Sequence, residues 1–216
     1  MSQLAISTIT ICGRLTVNIP TKEIAACCSQ FIQNSRKRAF LNQVTILVPV
    51  KNTERKINVK IFKNGKIQTS GAKSIEEFQS VCEVFQRHAS CDVTDMKVVM
   101  MNSSFVLPGK LDLFVVSRFM FQLGLKTSFD LLRHPPCNVR YFVNDESVIE
   151  NGICDCLSRC TITKEEKIVR NKKCTCRTVT CLIFASGKIV LTGAEKETDL
   201  ELVRLFLIKH LTPMLK

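Results

Sequence analysis

The stretch IFKNGKIQTSGA at residues 61–72 returns as IFASGKIVLTGA at residues 183–194, with no gap inside either copy. Each copy reads as an apolar pair, a two-residue polar turn closed by Gly and Lys, a second short strand, and a small-residue exit into a helix. That is the pattern of a β-hairpin feeding a helix. Gly65 and Gly187 supply the positive φ of a tight hairpin, and Lys66 and Lys188 start the second strand. One such hairpin carries little information. The same hairpin twice, with the same Phe before the turn and the same Gly-Ala after the strand, indicates duplication of a whole unit.

Outward from the hairpins the order of elements also repeats. Residues 5–17 read as extended. Pro20 and Thr21 open a helix to about residue 33, with Ile24, Cys27, Cys28, Phe31 and Ile32 as its apolar stripe. NSRKR at residues 34–38 is a basic connection, residues 44–50 form a β-branched strand, and residues 51–56 turn the chain into the strand at 57–62. Ser74 and Glu77 form a capping-box pair ahead of a helix with the stripe Ile75, Phe78, Cys82 and Phe85. From residue 95 the order recurs: an extended stretch at 96–101, an apolar helix at 112–124, a strand at 139–143, and residues 174–184 entering the second hairpin. Thr198 and Glu201 are expected to repeat the capping box, before a helix carrying Leu202, Val203, Leu205, Phe206 and Ile208. The expected class is therefore α+β, with a first repeat at residues 1–92 and a second at 93–216 in one pseudo-symmetric body. Residues 144–173 have no counterpart in the first repeat. They form a Cys-rich basic insertion, expected at the edge of the fold where loops tolerate growth.

Composition narrows the class. Of the 216 residues 45% are hydrophobic, yet no apolar run reaches membrane-spanning length, so no membrane partner is expected. The start, MSQLAISTIT, lacks the basic and apolar regions of a signal peptide, which implies an intracellular protein. Thirty-one Lys and Arg against nineteen Asp and Glu leave a formal charge of +12, the balance of a chain that meets a polyanion. Twelve cysteines in such a chain imply free thiols in a reducing compartment. Cys154, Cys156 and Cys160 approach Cys174, Cys176 and Cys181 as C-x-C-x3-C and C-x-C-x4-C. Residues two apart on a strand share a face. If the segments pair about the TKEEK loop, Cys154, Cys156, Cys174 and Cys176 converge in a way that suits a tetrahedral, structural Zn²⁺; the alternative is a set of ordinary free cysteines. No other cofactor is expected. An enzyme is not expected either, since there is no P-loop, no HExxH and no nucleophile elbow, and His88, His134 and His210 are scattered.

The hairpin LIFASGKIVLTGA at residues 182–194 resembles the C-terminal repeat hairpin of the TATA-box-binding protein family, and IFKNGKIQTSGAKS at 61–74 resembles its N-terminal partner. The layout of strand, helix, antiparallel strands and helix, done twice, extends the resemblance along nearly the whole chain. It implies a two-repeat saddle: a curved antiparallel sheet whose concave face rests on the DNA minor groove, with helices on the convex face. It further implies that Phe62 and Phe184 are wedges that unstack base steps. Lys66, Lys188 and Lys73 match phosphate-contacting lysines, and Arg140 a phosphate-binding Arg. Val190 and Thr192 match groove-floor contacts, Ser70 stands for the first-repeat Thr, and Leu182 for an apolar residue beside the wedge.

The departures from the family pattern fall in both repeats, those within the hairpins mostly in the first. Lys60 replaces an apolar floor residue, Gln68 a Val, and Glu195 a Lys. His134 stands where a second wedge Phe is expected, and the corresponding first-repeat wedge falls on Phe40 or Leu41. The family's symmetric Asn pair falls on Leu4 and Met100. Such divergence is what large DNA viruses carry, which would place the protein in the nucleus or in a virus factory of the host cytoplasm. The function implied is a transcription initiation factor that binds and bends A·T-rich double-stranded promoter DNA. It would work with a B-type general transcription factor-like protein and RNA polymerase. Two alternatives are a protein-interaction scaffold that keeps the fold but has lost specific DNA binding, and a single-strand binder that stacks bases on the sheet.

Overall fold

The structure, a computed structural model, describes residues 4–16, 21–31, 43–130, 134–143, 151–153 and 177–216. In chain order the elements are β1 (Ala5–Leu15), α1 (Thr21–Cys27), β2 (Gln43–Pro49), β3 (Lys56–Phe62), β4 (Lys66–Ala72), α2 (Ile75–Ala89) and β5 (Val93–Val106). There follow α3 (Leu113–Gln122), β6 (Lys126–Asp130), β7 (His134–Val143), β8 (Arg177–Ile183), β9 (Lys188–Ala194) and α4 (Glu197–Leu211). The chain divides into two compact units, Ile6–Met101 and Asn102–Lys216 together with Met1–Ala5, so the division falls within β5. None of the described helices is long and apolar enough to cross a membrane.

In the first unit the strands run in the order β2-β3-β4-β1, all antiparallel. Period-2 alternation sets the faces. Ile57, Val59 and Ile61 are fully buried, while Asn58, Lys60 and Phe62 take the opposite face. In β4, Ile67 and Thr69 are buried against Lys66, Gln68 and Ser70. The buried face carries α2, which packs on β2, β3 and β4. Phe78, Val81, Val84 and Phe85 fill that contact; each large side chain taken from water contributes about 1.5–3 kcal/mol.

This differs from the expected stripe in a specific way. Ile75, at the first position of α2, is 58% exposed, Cys82 is half-buried, and Val81 and Val84 take their places. α1 is shorter than expected: it ends at Cys27 and passes into a 3-10 turn at Ser29–Phe31, with Ile24 and Cys28 buried and Cys27 exposed. Phe40, Leu41 and the basic run at residues 34–38 lie outside the described residues.

The cap of α2 is half of the expected box. Ser74 Oγ accepts from the Glu77 N–H at 3.3 Å. The Glu77 carboxylate, however, accepts from the N–H of Lys73 at 2.8 Å and pairs with Arg55, instead of returning to the cap residue. Where β4 meets β1 the register shifts between Ile9 and Ile11, a β-bulge on the β4 side that holds Gly71 at φ 100°. The buried Thr69 hydroxyl fills the interrupted ladder: it donates to the Ile11 carbonyl at 3.1 Å and accepts from the Ile11 N–H at 3.3 Å.

In the second unit the order is β9-β8-β7-β6, again antiparallel. Val139, Tyr141, Val179, Cys181, Ile183, Ile189 and Leu191 are buried on one face. α4 packs there on β8 and β9, and α3 on β6 and β7. The Tyr141 and Phe206 rings meet edge-on at 5.0 Å. The capping box expected at Thr198 does not form. α4 starts two residues earlier, its cap position is Lys196, and no side chain caps it. The α4 core positions are Leu200, Val203, Phe206, Leu207 and Leu211, whereas Leu205 is 53% exposed. β6 was not expected; its sequence KTSFD is polar and it forms the outer strand beside β7. The expected zinc ligands Cys154, Cys156, Cys174 and Cys176 lie outside the described residues. Cys181 is fully buried in β8, where burial, reinforced by Cys137, pushes its thiol up.

Candidate nucleic-acid interface

Both hairpins close in the same way. The Phe62 carbonyl accepts from the Gly65 N–H at 3.0 Å, and the Phe184 carbonyl from the Gly187 N–H at 3.0 Å. Gly65 and Gly187 sit at φ 74° and 81°, the left-handed conformation that lets the second strand resume with its Lys. The turns therefore fix Phe62 with Lys66, and Phe184 with Lys188, at equivalent places in the two units. Leu15 in β1 donates to the Gly65 carbonyl, and Leu107, just after β5, to the Gly187 carbonyl, both at 2.9 Å. Counting back from these equivalent residues pairs Met100 with Thr8, so Leu4 and Met100 do not hold equivalent positions.

The faces not covered by helices carry nearly all of the expected contact residues. In the second unit Asn138, Leu182 and Val190 form one cross-strand row, and Arg140, Thr180 and Thr192 the next. Leu182, Val190 and Thr192 are half-buried, while Arg140 and Lys188 are exposed. The first unit builds the same rows from different chemistry. Thr45, Lys60, Gln68 and Cys12 form one, and Leu47, Asn58 and Ser70 the other. Leu182 and Val190 thus correspond to Lys60 and Gln68, and Arg140 corresponds to Leu47.

Two expected residues stand apart. Lys73 lies beyond β4 at the start of α2, where its N–H holds Glu77 and its charge helps to keep that carboxyl below the usual range. His134 opens β7 opposite Asp130.

The first unit also brings together residues that the sequence reading passed over. Arg14, Cys12, Asn64 and Asp95 join Phe62, Lys66 and Gln68 around a cleft of about 510 Å³. Arg14 and Cys12 lie opposite Lys66 and Gln68 in the ladder. Their signal was present as the two-residue spacing of Cys12 and Arg14 on β1. The register needed to place them beside β4 was not.

Electrostatics separate the two faces. Four carboxylates on the helices are held in ion pairs: Glu77 pairs with Arg55, Glu83 with Lys51 at 2.8 Å, Asp199 with Arg177 at 3.0 Å and Glu201 with Arg204 at 2.6 Å. Lys60, Lys66, Arg140 and Lys188 make no ion pair among the described residues, which leaves their charge available to a polyanion.

Residues 158–215 match the family model described as transcription factor TFIID, or TATA-binding protein. A TATA-box-binding protein-like protein of Acanthamoeba polyphaga mimivirus is 38% identical over 95 residues, 34% of this chain and 26% of that protein. The Methanococcus jannaschii TATA-binding protein superposes with a TM-score of 0.64 at 19% identity, covering 99% of each chain. The C-terminal part of the chain is similar to the TATA-binding protein family.

The alignment spans about a quarter of the mimivirus protein, and the archaeal structure, at its low identity, establishes the fold alone. That fold is the two-repeat TATA-binding-protein architecture expected from the hairpins. The stretch that carries the family model includes β8, β9 and α4, and with them Leu182, Phe184, Lys188, Val190 and Thr192. The first repeat keeps the TATA-binding-protein elements while changing the chemistry of its open face.

Proposed function

We propose that this protein is a transcription initiation factor, a binding protein and not an enzyme. It holds A·T-rich double-stranded promoter DNA against the open faces of its strands through the minor groove, and bends it by inserting Phe62 and Phe184. The observation that carries this reading is the recurrence of one device in both units. An aromatic residue sits at a strand end, beside a glycine-fixed turn and a lysine that makes no ion pair among the described residues, on the face that none of the described helices covers. The aromatic rings unstack base steps, the lysines neutralise phosphates, and the apolar row Leu182–Val190 lies against the groove floor. Bent promoter DNA would then be presented to a B-type general transcription factor-like protein and RNA polymerase, in the nucleus or in a viral factory.

Binding to an A·T-rich duplex, a G·C duplex and a single strand over a salt series, with bending read by end-to-end fluorescence transfer, tests the reading. Salt-sensitive duplex binding with bending is expected, and bending should be lost in Phe62→Ala/Phe184→Ala. No duplex binding at low salt would overturn it, and preferential single-strand binding would replace it with base stacking on the sheet.

A second reading has one observation in its favour. The polar row Lys60–Gln68 in the first unit suits a protein-interaction scaffold that has left sequence-specific DNA binding behind. On the sequence spacing, Cys154, Cys156, Cys174 and Cys176 would brace the insertion through structural zinc. About one zinc per purified chain supports that site, and clear substoichiometry excludes it.

A further inference from the structure

The open face of the first unit differs from that of the second in hydrogen-bonding capacity, and the difference is concentrated at one row. Gln68 and Lys60 are direct cross-strand partners, half-buried and exposed respectively, where the second unit pairs Val190 with Leu182. Gln68 and Asp95 line the same cleft as Phe62, together with Arg14 and Lys66. One row further, the enclosed Asn58 Oδ1 accepts no hydrogen bond among the described residues. The first unit thus presents acceptors, Gln68 and Asp95, beside cationic donors, while the equivalents of Lys60 and Gln68 in the second, Leu182 and Val190, present aliphatic carbons, with the Asn138 amide on the far side of Leu182.

In the minor groove A·T and T·A pairs show only acceptors, and a G·C pair adds one donor, the guanine 2-amino group. An aliphatic floor leaves that donor buried without a partner and so selects against guanine. An amide on the floor does the reverse. We propose that the first unit accepts guanine in its half of the duplex site, the Gln68 side-chain carbonyl taking a hydrogen bond from the guanine 2-amino group while Lys60 donates to an adjacent pyrimidine O2 or purine N3. The second unit, through Leu182 and Val190, keeps the A·T preference. The recognised element is then asymmetric, A·T-only in one half and mixed in the other. This inference rests on the duplex-binding reading above.

Inosine separates the 2-amino group from everything else, because I·C lacks that group and leaves the major-groove edge of G·C unchanged. The full chain is titrated with short duplexes that carry A·T, G·C or I·C at single positions across the site. In one half, G·C should bind at least as tightly as A·T, and I·C about tenfold more weakly than G·C. In the other half, I·C should bind about tenfold more tightly than G·C. Lys60→Leu/Gln68→Val should reverse the first-half order so that both halves prefer I·C. Gln68→Glu, which keeps an acceptor, should retain the preference for G·C and guards against misfolding of the double variant. Tighter I·C than G·C in both halves of the unaltered protein overturns the inference while leaving duplex binding intact. So does a G·C preference that survives in the folded double variant. Absence of any duplex binding overturns the proposed function itself.

Discussion

Arg55 and Glu77 form an ion pair in the first unit, and Arg177 and Asp199, each 122 positions later, form one in the second. The duplication therefore preserved an interaction as well as a turn. The second pair is the more enclosed, with side chains 18% and 10% exposed against 34% and 20%. Removing the carboxylate takes away the main ionic contact of an enclosed charge, so Asp199→Ala should lower stability by about 3 kcal/mol in urea unfolding. Arg177→Met/Asp199→Leu should recover most of the loss. At Glu77 the hydrogen bond from Arg55 is the main cause that holds the carboxyl below the usual range, with the Lys73 N–H assisting. A carboxyl depressed in the folded state contributes stability that is present above its unfolded pKa and lost as pH falls through the folded one. Urea midpoints measured from about pH 5 down to pH 3 should therefore fall less steeply in Arg55→Met than in the unaltered protein. Neither pair was legible in the sequence, where Arg55 read as part of a turn and Glu77 as a cap residue. Only the tertiary return of β3 toward α2 brings them together.

At the scale of elements, the hairpins were legible because everything that defines them is local: a polar turn, a glycine with positive φ, and strict alternation on either side. The helices were less so. Ile75 and Leu205 fit an apolar stripe by spacing, yet both lie outside the packed contact. Which side of a helix meets the sheet depends on where the sheet is. β6 escaped notice because an outer strand with one neighbour needs little apolar content, and KTSFD has only Phe129 as a large apolar residue. The two hairpins also differ in what surrounds them, although their sequences nearly coincide. A Cβ added at Gly65 would come no closer than 3.9 Å to a neighbour, the Leu15 carbonyl, so Gly65→Ala bears only the left-handed backbone cost of about 1 kcal/mol. At Gly187 the same Cβ would meet the Leu107 carbonyl at 2.7 Å and collide with that of Gly109. Gly187→Ala should accordingly lower the thermal midpoint clearly more than Gly65→Ala, and equal shifts would show that the loop around Gly109 yields.

Over the whole molecule, the net charge of +12 is less informative than its distribution. Five carboxylates on or at the ends of helices are bound in ion pairs: Glu77, Glu83, Asp112, Asp199 and Glu201. Among the described residues, Lys60, Lys66, Arg140 and Lys188 of the open faces make no ion pair. Part of this was visible beforehand, since the family resemblance marked Lys66, Lys188 and Arg140. Arg14 and the exchange of Arg140 for Leu47 became visible only through strand register. The arrangement separates affinity from selectivity. Arg140 and Lys188 stand at exposed positions of the second unit, suited to phosphates, while Leu182 and Val190 occupy the half-buried row between strands. If phosphate contact is their role, each cation contributes about 0.9 to the slope of log affinity against log salt. Arg140→Gln/Lys188→Gln should then reduce that slope by about 2 and weaken every duplex alike, leaving the ratio between A·T and G·C sequences unchanged. A changed ratio with an unchanged slope would move these two residues from the phosphates to the base edges, and reading of sequence would then have to be shared between charge and the apolar floor.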